Sequence, residues 1–272
     1  MSHSDALIFI PALVPGGAER ATISIANGLS EAGVSVALVT LDQPGELERE
    51  LSGAVTRHTL PALSLIKCVA PLRRLIHTPR PRAVIGATYG PNIALWAARF
   101  GMNGAPRLVC REANTPSAAL ERRGSTQARA IRTAIAFVYA RADRVICVSE
   151  GVRDDLAGLG VPQSRMAVAY NPFDFDALAA RAQEPLPDVP GFDPAKPFVV
   201  GAGRFVPAKD FALFLDACAR AQGDFQIVLL GEGPEREALR AQAERLGLGA
   251  RLVMPGFVAN PYAWFARASA YL

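Results

Sequence analysis

Apolar and polar positions along this chain switch between two periods. Short continuous apolar runs, the mark of strands buried on both faces, fall at residues 6–12, 34–41, 82–87, 107–111, 144–148 and 166–169, and residues 54–60 read as a further strand. Between them come windows with apolar residues three and four apart, which predict helices at 18–32, 63–76, 91–100, 125–141 and 150–159. In the first window Ala18, Ala21, Ile25, Leu29 and Ala32 share one face, and Gly33 is placed to end the helix. Residues 183–197 break the alternation. They hold Pro185, Pro187, Pro190, Pro194 and Pro197 without a helical period, which reads as an interdomain linker. Alternation then resumes: strand 198–203, helix 208–222, strand 225–230, helix 235–246, strand 251–254, a turn at 255–258, a short helix at 261–268 and an apolar strand beginning at 270.

Strands alternating with helices predict an α/β protein with parallel sheets covered on both faces. The expected layout is an N-terminal domain over 1–182, the linker, and a partial C-terminal domain over 198–272. A sheet ending where the last apolar run has only begun would expose an unpaired edge, so a longer parent protein is expected. In such sheets ligands bind beyond the carboxyl ends of the strands. The segments at 13–17, 88–91, 112–116 and 170–174 are therefore expected to share one edge.

Of 272 residues, half are hydrophobic, enough for a sizeable core. The 29 basic and 25 acidic residues leave a net charge of +4. That surplus is too small to argue for nucleic acid, and it suits an anionic small ligand or an anionic membrane surface. Cys68, Cys110, Cys147 and Cys218 are scattered, with no C-x-x-C. Buried free thiols in a reducing cytoplasm are expected. No run of eighteen apolar residues is present, and the N-terminal MSHSD lacks the basic and apolar regions of a secretory signal. The window 63–76 sets Lys67, Arg73, Arg74 and His77 among Leu65, Ile66, Val69, Leu72 and Leu75, with Pro71 interrupting it. It suits a core-facing helix with a solvated basic face, and also a helix lying on an anionic membrane.

The chemistry concentrates at 198–211. An apolar strand ends in Gly201-Ala202-Gly203, a loop carries Arg204 and Lys209, and a helix begins. Strand, glycine turn and helix start present free N–H groups and a helix dipole to an anion. Arginine adds paired hydrogen bonds and lysine a point charge, which suits a diphosphate. An exposed loop with two solvated charges is the plainer reading. Gly16 and Gly17 repeat the arrangement after the first strand, as a ligand approach or as a simple tight turn. Neither half has G-x-G-x-x-G after its first strand with an acidic residue about twenty positions on, which argues against a dinucleotide dehydrogenase.

Together these segments resemble glycosyltransferase family 4, in the family's order and over nearly the whole chain. They are Gly16-Gly17-Ala18-Glu19-Arg20, Val148-Ser149-Glu150-Gly151-Val152, Tyr170-Asn171-Pro172-Phe173-Asp174, Gly203-Arg204 with Lys209, and Leu229-Leu230-Gly231-Glu232-Gly233-Pro234. Asp210 stands where the family usually has glycine. The resemblance implies the GT-B fold of two Rossmann-like domains and a retaining, metal-independent transfer of sugar. The donor would be a nucleotide-diphosphate sugar and the acceptor a saccharide or a lipid-linked group, as in polysaccharide or lipopolysaccharide biosynthesis. No cofactor is implied. Localisation would be cytoplasmic, with peripheral contact to the inner face of the membrane. Arg204 and Lys209 would take the catalytic role, holding the donor diphosphate as the nucleotide departs. Gly16, Gly17, Gly203, Glu232, Gly233, Phe257 and Val258 would bind the donor, and Arg111, Glu112 and Asn114 would contact donor sugar or acceptor. For Phe257, ordinary core packing is the other reading. The family's E-x7-E segment would begin past Leu272, so this stretch is expected to lack part of the donor site. A nucleotide-sugar 2-epimerase of the same fold and a non-catalytic nucleotide-binding module are the alternatives.

Overall fold

The computed structural model describes residues 4–42, 45–78, 80–121 and 124–271. The chain divides into two compact units, Met1–Phe173 and Asp174–Leu272.

In the first unit, seven strands form one parallel sheet: β1 (Ala6–Phe9), β2 (Val36–Leu41), β3 (Thr56–Leu60), β4 (Ala83–Gly86), β5 (Arg107–Glu112), β6 (Arg144–Cys147) and β7 (Met166–Val168). Their order is β3-β2-β1-β4-β5-β6-β7. The helices between them are α1 (Gly17–Glu31), α2 (Val69–His77), α3 (Tyr89–Arg99), α4 (Pro116–Glu121), α5 (Ser125–Tyr139) and α6 (Glu150–Gly158). Alternate residues of β1 serve opposite faces. Leu7 and Phe9 join the core built with α2, α3, α5 and α6, while Ile8 packs with Leu38, Ile23 and Ala26 under α1. This two-sided burial is why central strands such as β1 and β2 read as continuous apolar runs, while the edge strand β3, mostly exposed, carries Arg57 and His58. Parallel pairing sets the expected ligand-side segments on the carboxyl edge. The strand order reverses between β1 and β4, which makes their carboxyl ends a crevice for ligands.

The second unit begins with α7 (Phe175–Ala182), capped by Asp174, whose side chain accepts the Ala177 N–H at 2.9 Å. A four-stranded parallel sheet follows, ordered β10-β9-β8-β11. Its strands are β8 (Phe198–Ala202), β9 (Gln226–Leu230), β10 (Leu252–Gly256) and β11 (Ala270–Tyr271). Its helices are α8 (Phe211–Arg220), α9 (Arg236–Arg245) and α10 (Tyr262–Phe265). The order reverses between β8 and β11, so the loop after β8 borders this sheet's crevice.

Four expectations are corrected. Residues 174–182 belong to the second unit. The carbonyl of Arg181 accepts from Asn260 at 2.8 Å, and Arg267 donates to the Ala182 carbonyl at 3.0 Å. Nor is 183–197 a free tether: Leu186, Val189 and Phe192 pack on the cluster of Phe198, Val200 and Trp264. α2 starts at Val69 instead of residue 63, because Pro71 is tolerated only in a first turn, where no N–H partner is needed. Strand β10 continues through Pro255 to Gly256 with a register shift; it is an edge strand, where proline costs no ladder bond. The four cysteines are free and buried, as expected. Among the described residues no helix is long and apolar enough to cross a membrane.

Candidate active site

In the second unit three strands end in glycine. Gly203, Gly231 and Gly256, after or at the ends of β8, β9 and β10, have φ of 155°, 139° and 87°. Backbone bonds lace these ends together. Gly203 N–H donates to the Leu230 carbonyl at 2.9 Å, and Gly231 N–H to the Gly256 carbonyl at 2.8 Å. A Cβ on Gly231 would lie 1.9 Å from the Gly203 carbonyl oxygen, and one on Gly233 2.4 Å from that of Phe205. No other residue type permits these approaches. Phe205 anchors the loop from beneath: it is fully buried, meets Phe211 edge-on at 5.4 Å, and its N–H donates to the Glu232 carbonyl at 2.9 Å.

Arg204 and Lys209 are exposed on this anchored loop. The stem of Lys209 lies over Gly203, where a Cβ would sit 3.3 Å from its Cε. Among the described residues neither cation forms an ion pair. Asp210 follows at φ 48°, and its carboxylate caps α8 at the Leu213 N–H, 3.4 Å away. A left-handed backbone here is what glycine would adopt freely. Glu232 is held at the rim. It accepts from Arg236 at 2.7 Å, and Arg236 also donates to the Met254 carbonyl at 2.7 Å. Phe257 is 47% exposed, which removes the core-packing reading, whereas Val258 packs against the Trp264 cluster. The fold thus gathers Gly203, Arg204, Lys209, Glu232 and Gly233 around the carboxyl ends of β8 and β9. Phe257 and Val258 follow directly from β10. A cradle of glycine backbone carrying two unpaired cations has the chemistry of a diphosphate site.

In the first unit Gly16 caps α1 in an extended conformation. A Cβ there would meet Glu19 Oε2 at 2.2 Å, whereas one on Gly17 meets nothing within 4 Å. The Glu19 carboxylate therefore folds over the helix start, and an arriving anion must displace it. Arg20 is paired with Glu50 at 2.8 Å.

The family model for "Glycosyltransferase Family 4" matches residues 15–177. The chain belongs to glycosyltransferase family 4. A second model, "Glycosyl transferases group 1", matches residues 182–272. This family 4 chain is 31% identical over 179 residues to a Campylobacter jejuni enzyme. That enzyme is the N-acetylgalactosamine-N,N'-diacetylbacillosaminyl-diphospho-undecaprenol 4-alpha-N-acetylgalactosaminyltransferase; the match covers 65% of the chain and 47% of the relative. The lipopolysaccharide core biosynthesis glycosyltransferase LpsE of Rhizobium meliloti is 25% identical over 89% of the chain and 64% of its own length. The chain thus spans about half to two thirds of these two curated relatives. Among solved structures, Anabaena HepE in complex with UDP-glucose matches 99% of the chain and 73% of its own, with a TM-score of 0.78 at 22% identity. The fold is that of the GT-B glycosyltransferases.

The third group of expected site residues lies at the end of β5 in this family 4 chain. Arg111 is buried and donates to Asn171 Oδ1 at 2.5 Å and to the Ala87 carbonyl at 3.5 Å. It therefore ties β5 to the segments that follow β4 and β7. Glu112 is wholly buried: Oε2 accepts from the Tyr139 hydroxyl at 2.6 Å and Oε1 from the Asn114 N–H at 3.2 Å. Burial pushes its carboxyl up to about 7, against the pull of the Tyr139 hydroxyl, the Asn114 and Ala113 amides and the Arg111 charge. Burial likewise lowers Arg111, with Glu112 opposing. The expected ligand contact at Glu112 is corrected on this geometry, since no part of its carboxylate is open. Asn114 is exposed on the loop beyond. The sequence reading missed Asn92, which donates through Nδ2 to the Tyr139 hydroxyl at 2.7 Å and to the Arg111 carbonyl at 3.0 Å. It also missed Tyr139 and Arg236. An asparagine inside the apolar window 91–100 was the one available signal, because a buried amide demands partners.

Proposed function

We propose that the protein transfers a sugar from a nucleotide-diphosphate sugar to a saccharide or lipid-linked acceptor, with retention and without a metal. The observation that carries this reading is the cradle at the ends of β8 and β9, where Lys209 lies over Gly203 and Arg204 is exposed on the same loop, neither in an ion pair among the described residues. Breaking the sugar–phosphate bond builds charge on the leaving diphosphate. The two cations of this loop stabilise that charge more in the transition state than in the ground state. Gly203, Glu232 and Gly233 shape the phosphate end, and Phe257 and Val258 are assigned to the base. Gly16 and Gly17 are assigned a share in donor binding, and Asn114, with Arg111 behind it, a contact to acceptor or sugar. The UDP-glucose held by the Anabaena structure makes UDP the first nucleotide to try. The diphospho-undecaprenol named in the Campylobacter relative makes a lipid-linked acceptor the first class to offer.

We also assign a peripheral contact with an anionic bilayer to the approach to α2. Leu63 and Ile66 are 73% and 88% exposed beside the exposed Lys67 and Arg74, a pairing suited to an anionic lipid surface. The reducing cytoplasmic face is the side that suits the four free thiols.

The test is calorimetry on the full-length protein with UDP, GDP and ADP, with and without Mg²⁺, for wild type and for Arg204→Ala/Lys209→Ala. Charge-assisted bonds of about 1.5–3 kcal/mol each predict a loss of two or more orders of magnitude in the double variant. NMR of the product then reads the anomeric configuration. Binding of no nucleotide by the folded protein, or an inverted product, sinks the respective part of the proposal.

A further inference from the structure

Glu112 is a carboxylate that the proposed transfer leaves without a task. Its bonding network draws on α5, α3 and the segment after β5. From α5 comes the Tyr139 hydroxyl, and from α3 comes Asn92, which donates to that same hydroxyl. From the segment after β5 come the N–H groups of Ala113 and Asn114. The titratable and charged groups facing it are Tyr139 on α5, Cys110 and Arg111 on β5, and Cys147 on β6. Among the described residues Asn92 Oδ1 is buried with no partner, so the chain Glu112–Tyr139–Asn92 has one acceptor to spare. Its ordering depends on which way the protons point.

We infer that Glu112 is a positioning residue: its buried carboxylate grips the amides of Ala113 and Asn114 and so holds the 113–115 segment in the form that receives the acceptor. The inference rests on the transferase reading for its kinetic half alone. The ionised carboxylate only accepts, and it draws the Tyr139 O–H and both amides toward itself. When Glu112 gains a proton from solvent, that proton sits between Oε2 and the Tyr139 oxygen. The tyrosine hydrogen must then turn away, and an amide flip of Asn92 would present Oδ1 to it at the cost of the bond from Nδ2 to the Arg111 carbonyl. Hydrogen bonds from the two amides lose their charge assistance, and the Asn114 segment loosens. The proton comes from water and returns to it.

The experiment joins amide exchange and kinetics on the full-length protein across neutral pH. In wild type, the Ala113 and Asn114 amides are protected above neutrality and lose about tenfold of that protection, after correction for intrinsic exchange, once Glu112 is protonated. Acceptor KM rises over the same interval while UDP affinity stays level. In Glu112→Gln both pH dependences vanish. Should that variant fail to fold, Tyr139→Phe answers instead. It removes a bond that favours the carboxylate, so the inflection moves to higher pH. PH-independent protection in wild type, or an unmoved inflection in Tyr139→Phe, overturns the inference. A wild type that shows the protection change yet transfers no sugar overturns the transferase reading and supports the grip of Glu112 on its loop.

Discussion

Replacing Gly231 by alanine should cost the second unit more than its one added methyl suggests. The backbone at Gly231 has φ 139°, a region closed to side-chain-bearing residues. The new Cβ would lie 1.9 Å from the Gly203 carbonyl oxygen. That oxygen cannot step aside cheaply, because the Gly203 N–H is bonded to the Leu230 carbonyl and the Gly231 N–H to the Gly256 carbonyl. Backbone strain of about 1–3 kcal/mol and the loss of at least one of these bonds, about 1 kcal/mol, give an expected destabilisation of about 3 kcal/mol. Gly28→Ala is the control. Gly28 is exposed within α1 with nothing within 4 Å of its added Cβ, so alanine there should stabilise by about 0.5–1 kcal/mol. Denaturant unfolding, followed by amide exchange so that the two units are resolved, reads both. Nucleotide calorimetry on the folded fraction should show UDP affinity falling in Gly231→Ala and unchanged in Gly28→Ala. Equal stabilities for the two variants, or a Gly231→Ala protein that keeps full affinity, would refute the argument that close backbone contact builds the cradle.

At Asp210, glycine should be tolerated within about 0.5 kcal/mol, because freedom at φ 48° offsets the lost cap, whereas alanine loses both and should cost about 1–2 kcal/mol by thermal unfolding. Burial raises the Glu112 carboxyl from 4.5 to about 7. Its contribution to stability is therefore fully present below the unfolded value and lost as pH rises through about 7, a change of about 3 kcal/mol. The stability of Glu112→Gln should be flat over that interval. Gly86→Ala would drive its Cβ to 2.1 Å from Asn92 Oδ1 and 2.8 Å from the Asn92 amide nitrogen, and exchange protection at Asn114 should drop along with stability. Liposome sedimentation should show Ile66→Ser/Lys67→Ala/Arg74→Ala leaving anionic vesicles while wild type stays bound; equal binding removes the patch. Arg73 is unsuitable for that test, since it donates to the carbonyls of Ala98 and Phe100 at 3.0 and 2.7 Å and holds the end of α3.

What could be read from the sequence was whatever local pattern dictates. Buried parallel strands advertise themselves as apolar runs, and the glycine turns after β8 and β9 mark where backbones must meet. Helix α7 went unread because Phe175–Ala182 buries no residue of its own, so tertiary bonds to the segment after β10 fix it instead of an apolar stripe. The Pro-rich stretch misled for a related reason. Proline spacing reports stiffness, and Phe192 reports a docking partner only once Trp264 is seen 4.8 Å away. The Glu112 cluster is bonded across 27 positions, from Glu112 to Tyr139, and across 47, from Asn92 to Tyr139, and no spacing rule links a tyrosine at a helix end to a carboxylate at a strand end.

The docking of 183–197 has a practical side for anyone dividing the gene. A fragment begun at Phe198, where the second alternation starts, would strip Leu186, Val189 and Phe192 from one face of the sheet and uncover Trp264, now wholly buried. It would also take away the Gly191 carbonyl that accepts from Gln226 at 3.0 Å. Such a fragment should be sticky and recovered from inclusion bodies. A cut before Asp174 keeps α7, its cap and the proline strap together, and is the boundary at which this half of the chain has a chance of being purified by itself.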